Sequence, residues 1–277
     1  MQPDHEFAAE LARQAGQRLL ALRDSDLGPG ELRTAGDRSS HEFLTGELAR
    51  LRPGDCVLSE EGTDDPARLS ADRVWIVDPL DGTREYGERG RTDWAVHVAL
   101  WEQGQLTVGA VALPARDRVL STAQPPGGPR PGHRPGAGGQ PLRIVMSRTR
   151  APAFLAPLAA RLGAALVPVG SAGAKAAAVI LGEADAYLHD GGQYEWDSAA
   201  PVAVAQAAGL HTCRLDGSKL VYNQASPWQP DILICPEALA DVLLAAVSDV
   251  RPPATEQPPP RGARQYLPDD PEPSRCP

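Results

Sequence analysis

The chain has 277 residues, which is enough to bury a full core as one large domain or as two closely packed ones. Its formal net charge of −9 argues against a nucleic-acid polymer or an anionic membrane surface as partner, although bound cations could still attract a small anionic substrate. The four cysteines show no C-x-x-C spacing, and no apolar run approaches the roughly 20 residues that a membrane span needs. We therefore expect a protein of the reducing cytoplasm that acts on a small molecule, as a monomer or a homodimer.

The first predicted elements are two helices and a short strand. Apolar residues recur at helical spacing over residues 7–22, with Asp4 as the N-cap. Residues 37–54 predict a second helix, which Asp37 opens and a Pro-Gly pair ends. Residues 55–61 predict a short strand that ends in two acids.

The next region has the pattern of an antiparallel sheet. The apolar run VWIV at 74–77 predicts a buried strand, which ends in the sequence DPLDGT. Residues 93–123 predict a meander with turns at 102–105 and 115–118. Because apolar residues occupy both faces of these strands, we expect the sheet to be covered on both sides.

Composition divides the chain into four segments. The first, at 1–124, is an α+β region. Of the 17 residues at 125–141, 12 are Pro or Gly, which predicts a flexible surface loop. Strands and helices then alternate over 142–251, which predicts α/β layering around a largely parallel sheet. The Pro-rich tail at 252–277 is predicted to be disordered.

Several acids lie where predicted strands end or predicted helices begin. Asp78 and Asp81 lie across one Pro-containing turn, and two anions held so close repel each other unless a cation or a proton lies between them. Glu60 ends a strand, Asp37 opens a helix, and Asp197 opens another helix after a Gly-Gly loop. Any one of these acids alone is more often a capping or turn residue. Together they form an all-oxygen set of the kind that Mg²⁺ prefers.

The DPLDGT turn also offers groups that suit phosphate chemistry. The carbonyl of Leu80 can point to the same ion as the two aspartates. Gly82 and Thr83 begin a predicted short helix or turn whose N–H groups would face the metal, which places anion-binding donors beside a cation. The Thr83 hydroxyl, bonded to a carboxylate, could orient an attacking water.

Five segments carry a family resemblance. In order and spacing, GDRSS, LSEE, WIVDPLDGTREY, GSAGAKAAAV and YEWDSAAP resemble the lithium-sensitive, Mg²⁺-dependent phosphatases of the inositol monophosphatase superfamily, over about residues 4–250. The residues of these segments are most similar to those of the CysQ-type branch of actinobacteria, whose members remove the 3′-phosphate of 3′-phosphoadenosine 5′-phosphate. The resemblance implies a layered αβαβα sandwich of the inositol monophosphatase and fructose bisphosphatase type. One departure is Ala208-Gly209, where the superfamily has Gly-Gly.

The resemblance implies a set of metal ligands. Glu60 would bind a first Mg²⁺, together with the carbonyl oxygen of Leu80. Asp78 would bridge the two metals. Asp81 and Asp197 would hold the second one.

The resemblance also implies catalytic and substrate-binding residues. Thr83 and Asp37 would form the pair that activates water, and the N–H groups of Gly82 and Thr83 would bind the departing phosphate. Ser171 and Lys175 match the segment that family members use on the nucleotide side. The implied substrate-binding set is Gly82, Thr83, Arg84, Ser171, Lys175 and Asp197.

Two alternatives to hydrolysis of 3′-phosphoadenosine 5′-phosphate remain open. The same chemistry could act on inositol 1-phosphate or fructose 1,6-bisphosphate, because the motif residues bind metal and phosphate alone. A catalytically idle metal- or nucleotide-binding protein is the second alternative, although such a protein would not need Thr83 and Asp37. Two histidines complete the predictions: His97 is a satisfied sheet residue, and His189 is a candidate substrate contact.

Overall fold

The computed structural model describes residues 2–127 and 140–251 of the chain. Within these ranges the chain forms two five-stranded sheets and seven α-helices. The helices are α1 (Asp4–Arg23), α2 (Pro29–Leu51), α3 (Thr83–Gly87), α4 (Leu155–Leu162), α5 (Ala172–Ile180), α6 (Glu195–Ala207) and α7 (Glu237–Val250). The first sheet contains β1 (Cys56–Ser59), β2 (Arg73–Asp81), β3 (Ala95–Glu102), β4 (Gln105–Leu113) and β5 (Arg118–Ser121). The second sheet contains β6 (Arg143–Ser147), β7 (Ala165–Val169), β8 (Ala186–Tyr194), β9 (Leu210–Cys213) and β10 (Trp228–Pro236).

Helices and sheets alternate in five layers. Helices α1 and α2 cover one face of the first sheet, and α5 and α6 cover its other face. The same α5 and α6 contact the second sheet, and α4 and α7 pack on that sheet as well. Alternate residues of β10 show that these helices lie on opposite faces: Ile232 and Ile234 join the core beside α5 and α6, whereas Leu233 joins the core beside α4 and α7. The predicted αβαβα sandwich is confirmed.

The first sheet follows the predicted pattern. Its strand order is β1-β2-β3-β4-β5, with β1 parallel to β2 and the other neighbours antiparallel. The turns of the meander fall between Glu102 and Gln105 and around the 3-10 helix Pro114–Arg116, as predicted. Eight of the nine residues of β2 are buried, because helices cover both faces of the sheet.

The second sheet is mixed, which corrects the prediction of a largely parallel one. Strand β6 is parallel to β7 and β8, but β10 runs antiparallel to both β8 and β9. Strand β9 at the sheet edge was not predicted. A strand's apolar pattern is the same in either direction, so the direction of β10 depends on its connections and packing rather than on its own residues.

Three predicted element starts are wrong. Helix α2 begins at Pro29, where Gly28 N–H donates to Glu31 Oε2 at 3.2 Å, so Asp37 lies inside this helix instead of opening it. Strand β8 continues to Tyr194 through the predicted Gly-Gly loop, and α6 therefore begins at Glu195, before Asp197. Asp4 is the first residue of α1 and not its N-cap, which is Pro3.

Parts of two predictions lie outside the described residues. These are most of the Pro/Gly-rich loop at 125–141 and the whole tail at 252–277. The division of the chain into four segments stays a prediction. Among the described helices, none is long and apolar enough to span a membrane.

Candidate active site

The site begins where the regular geometry of β2 breaks down. Val77 and the three residues before it are fully buried, which fixes this strand in the core. In a regular strand, residues three apart point to opposite faces. Pro79 lacks an N–H for the ladder, and the pairing of β2 with β3 shifts register between Asp78 and Asp81. The shift allows both carboxylates to face one place, and Leu80 N–H donates to Asp78 Oδ1 at 3.0 Å.

Three of the predicted carboxylate ligands meet at this place. One oxygen each of Asp78, Asp81 and Asp197 lies within 4.8 Å of the others. Asp197 comes from the first turn of α6, where its Oδ2 accepts the N–H of Tyr194 at 2.7 Å. Asp78 and Asp81 are buried and Asp197 is half-buried, and since the cluster offers oxygen ligands alone, it suits a hard cation.

The raised pKa values of the carboxyl groups in and beside the cluster show how strongly this place favours positive charge. Burial, followed by the charges of Glu60, Asp81 and Asp197, raises the pKa of Asp78 well above its ordinary value. Desolvation by the surrounding protein atoms, followed by the charge of Asp197, raises the pKa of Glu60 to about 8. The side chain of Glu60 nevertheless keeps access to solvent. Burial and then Asp81 raise the pKa of Asp197 to about 6. A bound cation would replace the protons that these groups otherwise hold.

Asp81 differs from the other acids, because its pKa lies below its ordinary value and theirs lie above. Burial alone would raise its pKa, but the charge of His97, then Lys175 and the N–H of Gly173, hold it below the ordinary value. The N–H groups of Ala172 and Gly173, at the start of α5, donate to its two oxygens at 3.0 and 2.5 Å. The N-terminus of α5 therefore fixes the orientation of this carboxylate.

No pattern in the sequence indicates that His97 belongs to the site. Its Nδ1 lies 3.0 Å from the carbonyl oxygen of Trp196, and its Nε2 lies 3.2 Å from Asp81 Oδ2 without the alignment of a hydrogen bond. Gly173 leaves room for this contact, since a Cβ there would lie 2.2 Å from His97 Nε2. An isolated histidine in an apolar strand carries no motif, so sequence reasoning predicted only a sheet residue.

Thr83 and Asp37 also lie together. The hydroxyl of Thr83 is 3.2 Å from Asp37 Oδ1 and 3.1 Å from the carbonyl oxygen of Leu80. Helix α2 carries Asp37 to the turn, and Ser40 of the same helix donates to the carbonyl of Pro79 at 2.7 Å. The pair expected to activate water is thus adjacent to the carboxylate cluster.

The residues expected on the nucleotide side have other contacts. Ser171 accepts the N–H of Ala174 at 3.0 Å and caps α5. Lys175 is 3% exposed and donates to the carbonyls of Gly170 and Ser171 at 2.5 and 2.8 Å, and burial lowers its pKa to about 8. Both side chains therefore support the segment at 170–175, and direct contact with a substrate stays a prediction.

Two further candidate contacts stay predictions as well. Arg84 is exposed beside the DPLDGT turn. His189 is 7% exposed, and burial, together with the charges of Lys175 and Arg150, lowers its pKa to about 4. His189 is therefore neutral at physiological pH.

The chain is similar to known proteins over nearly all of its described residues. The model of the inositol monophosphatase family matches residues 2–251. The chain belongs to this family. The family is metal-dependent, which agrees with the carboxylate cluster.

Two curated relatives and one solved structure are similar over most of their length. The chain is 52% identical over 244 residues to the 3′-phosphoadenosine 5′-phosphate phosphatase of Mycobacterium tuberculosis, which covers 85% of this chain and 90% of the relative. It is 48% identical over 260 residues to the protein of that name from Mycobacterium leprae, covering 89% and 94%. The crystal structure of CysQ from Bacteroides thetaiotaomicron superposes with a TM-score of 0.72 at 26% identity, covering 84% of this chain and 97% of that chain.

Proposed function

We propose that the protein is a Mg²⁺-dependent phosphomonoesterase that hydrolyses the 3′-phosphate of 3′-phosphoadenosine 5′-phosphate, giving AMP and inorganic phosphate. The observation that supports the substrate is the similarity to two mycobacterial relatives that bear this activity in their names. The carboxylate cluster with Thr83 and Asp37 beside it supports the reaction type. The proposed setting is the cytoplasm, with the protein as a monomer or a homodimer.

The metal-binding groups would be Glu60, Asp78, Asp81, Asp197 and the carbonyl of Leu80. An Mg²⁺ ion held by these groups would supply neutralisation of the clustered carboxylates and polarisation of the phosphoryl group. Asp81 is prepared for this role, because the helix N-terminus and His97 already keep it ionised. Asp78 and Glu60, whose raised pKa values favour the protonated form near neutral pH, would lose protons if the cation bound, so metal binding would release protons.

The chain's own residues would prepare the attacking water. Thr83 donates its hydroxyl hydrogen toward Asp37, which leaves the Thr83 oxygen free to accept a hydrogen bond from water. A water held in this way has a lone pair that can face phosphorus, and its proton can pass through Thr83 to Asp37. The new bond joins the water oxygen to phosphorus, the bond from phosphorus to O3′ breaks, and O3′ takes up a proton.

The departing phosphate would be held by backbone groups. The N–H groups of Gly82 and Thr83 follow the carboxylate turn directly. Gly82 has a φ of 85°, and a Cβ there would lie 2.7 Å from the Cβ of Ser171, so glycine allows both the turn and the close approach of the segment at 170–175. Backbone donors that are fixed before the reaction require no reorganisation as charge develops on the phosphate oxygens.

Phosphate release from three substrates tests this proposal. We expect 3′-phosphoadenosine 5′-phosphate to be turned over faster than inositol 1-phosphate and fructose 1,6-bisphosphate at equal Mg²⁺. Faster turnover of inositol 1-phosphate or fructose 1,6-bisphosphate would contradict the proposed substrate and leave the proposed mechanism in place. Absence of phosphate release from all three would support the idle binding protein.

A further inference from the structure

Arg68 is a buried cation that joins two segments far apart in the sequence. It lies in the 3-10 helix Pro66–Ser70, and its side chain is 1% exposed. Its Nε and Nη2 donate to the two oxygens of Asp64 at 2.6 and 3.0 Å. Its Nη1 donates to Asn223 Oδ1 at 2.7 Å, and Nη2 also donates to the carbonyl of Gln224 at 2.9 Å.

Asn223 extends this contact to the next acid. Its side-chain Nδ2 returns a hydrogen bond of 3.0 Å to the carbonyl of Arg68. Its backbone has a φ of 58°, a left-handed conformation that asparagine adopts more readily than most residues. The N–H groups of Asn223 and Gln224 donate to the two carboxylate oxygens of Glu195 at 2.7 and 2.8 Å. We call Arg68, Asn223 and Glu195 the relay.

The two ends of the relay belong to the same chain segments as two of the predicted metal ligands. At one end, Asp64 and Arg68 follow Glu60 in the loop between β1 and β2. At the other end, Glu195 is 1% exposed and is the first residue of α6, whose first turn also carries Asp197. The relay thus connects the loop that presents Glu60 with the helix start that presents Asp197.

The chemistry of the relay makes this connection rigid. A guanidinium taken out of water must have its N–H groups bonded, and Arg68 satisfies four bonds at once with a planar, fixed geometry. Glu195 is likewise held at both oxygens by backbone N–H groups. A shift of either segment would leave buried polar groups without partners, which costs more than the bonds themselves contribute.

We propose that Arg68 is a positioning residue that, through Asn223 and Glu195, sets the placement of Glu60 relative to Asp197 and so tunes metal affinity. The proposal rests on the proposed function insofar as both acids bind metal. The competing interpretation is a network that stabilises the fold and has no effect on the site. The two differ in metal affinity measured on folded protein.

Two variants separate these interpretations. Arg68→Lys keeps the charge but loses the planar fork, so it cannot serve Asp64 and Asn223 together. Asn223→Gly deletes the amide while the backbone can keep its left-handed φ, because glycine adopts it without strain. Arg214→Lys is the matched control, since Arg214 makes a similar two-bond pair with Asp231, at 2.7 and 3.2 Å, outside the relay.

The measurement is Mn²⁺ binding to the full chain, with free Mn²⁺ followed by electron paramagnetic resonance. We expect the dissociation constant to rise about tenfold in Arg68→Lys and Asn223→Gly, the lower end of the loss seen when residues behind metal ligands are changed, and to stay at the wild-type value in Arg214→Lys. The KM for Mg²⁺ in turnover should rise in parallel.

Two other results would be decisive. Wild-type Mn²⁺ affinity in folded Asn223→Gly and Arg68→Lys would overturn the positioning role and leave the proposed function intact. Wild-type protein that binds no Mn²⁺ would contradict the metal site itself, and with it the proposed function. If Arg68→Lys does not fold, Asn223→Gly alone decides, because its charge balance and backbone are unchanged.

Discussion

The Thr83 hydroxyl and the Asp37 carboxylate lie 3.2 Å apart, although 46 positions separate them in the sequence. Thr83 is the first residue of the short helix after the carboxylate turn, and Asp37 is carried to it by the middle of α2. The Leu80 carbonyl oxygen lies 3.1 Å from the same hydroxyl, and both acceptors compete for its one hydrogen. In the proposed mechanism Asp37 takes this hydrogen bond, and the threonine oxygen accepts one from water.

Replacement of Thr83 by valine tests this relationship. Thr83→Val keeps the shape of the side chain and removes the hydroxyl, so we expect kcat to fall by about 10²–10⁴-fold while Mn²⁺ affinity stays unchanged. Thr83→Ser should restore most of the activity. Asp37→Asn should give a loss similar to that of Thr83→Val, and the double variant should lose little more, because both residues act on one proton. Full activity in Thr83→Val would remove the pair from the mechanism.

Asp81→Asn tests the metal site. The substitution removes the carboxylate of the cluster whose pKa is held below its ordinary value, so we expect loss of Mn²⁺ binding and of Mg²⁺-dependent phosphate release. The fold should persist, since the asparagine oxygen can still accept one N–H at the start of α5. Asp93→Asn is a suitable control, because Asp93 accepts Gly170 N–H at 2.7 Å but is not part of the cluster. Unchanged turnover in Asp81→Asn would contradict the assignment.

The metal-free protein should lose stability as pH rises. Glu60 and Asp197 have folded-state pKa values of about 8 and about 6, above their ordinary values near 4. Between about pH 4 and pH 8 the folded state therefore binds more protons than the unfolded state, so the free energy of unfolding falls as pH rises through this interval. Saturating Mg²⁺ should remove or reverse the trend, because the cation takes the place of those protons. Thermal unfolding in EDTA and in Mg²⁺, from pH 5 to pH 8.5, measures both. A flat profile in EDTA would show that folding does not raise the pKa values of these carboxyls.

Gly173→Ala should damage the site through sterics alone. Its Cβ would lie 2.2 Å from His97 Nε2 and 3.0 Å from Asp81 Oδ2, so either the helix start or the histidine must move. We expect weaker Mn²⁺ binding and a lower melting temperature. Gly46→Ala is the control: among the described residues, no atom outside the neighbouring backbone of α2 lies within 4 Å of the added Cβ, so it should stabilise the protein by up to about 1 kcal/mol. Wild-type metal affinity in Gly173→Ala would show that the contact between His97 and Asp81 has no role.

The residues that were predictable are those that lie together in the sequence. Asp78, Asp81 and Thr83 belong to one turn, and the buried run before them identifies a strand end. Asp197 is distant in the sequence, and its place beside these residues was predicted from the family resemblance, whose motifs occur in a fixed order. The five layers followed from the same resemblance, whereas apolar periodicity by itself indicated only a first sheet covered on both faces and α/β layering after it.

The remainder depends on contacts that no local pattern records. The prediction for Asp37 placed it at a helix start, but the Gly28 and Glu31 bond starts the helix earlier. His97 lies in an ordinary buried strand, and its partner Asp81 becomes visible only once β2 and β3 are paired. Arg68 and Asn223 are 155 positions apart, and nothing in either segment indicates the other.

The most direct test of the proposed function is identification of the products formed from 3′-phosphoadenosine 5′-phosphate by ³¹P NMR. With Mg²⁺ present, we expect equal amounts of AMP, which retains its 5′-phosphate, and inorganic phosphate, and no release with Asp81→Asn. Formation of adenosine 3′-phosphate, or no release by the wild-type protein, would contradict the proposed function.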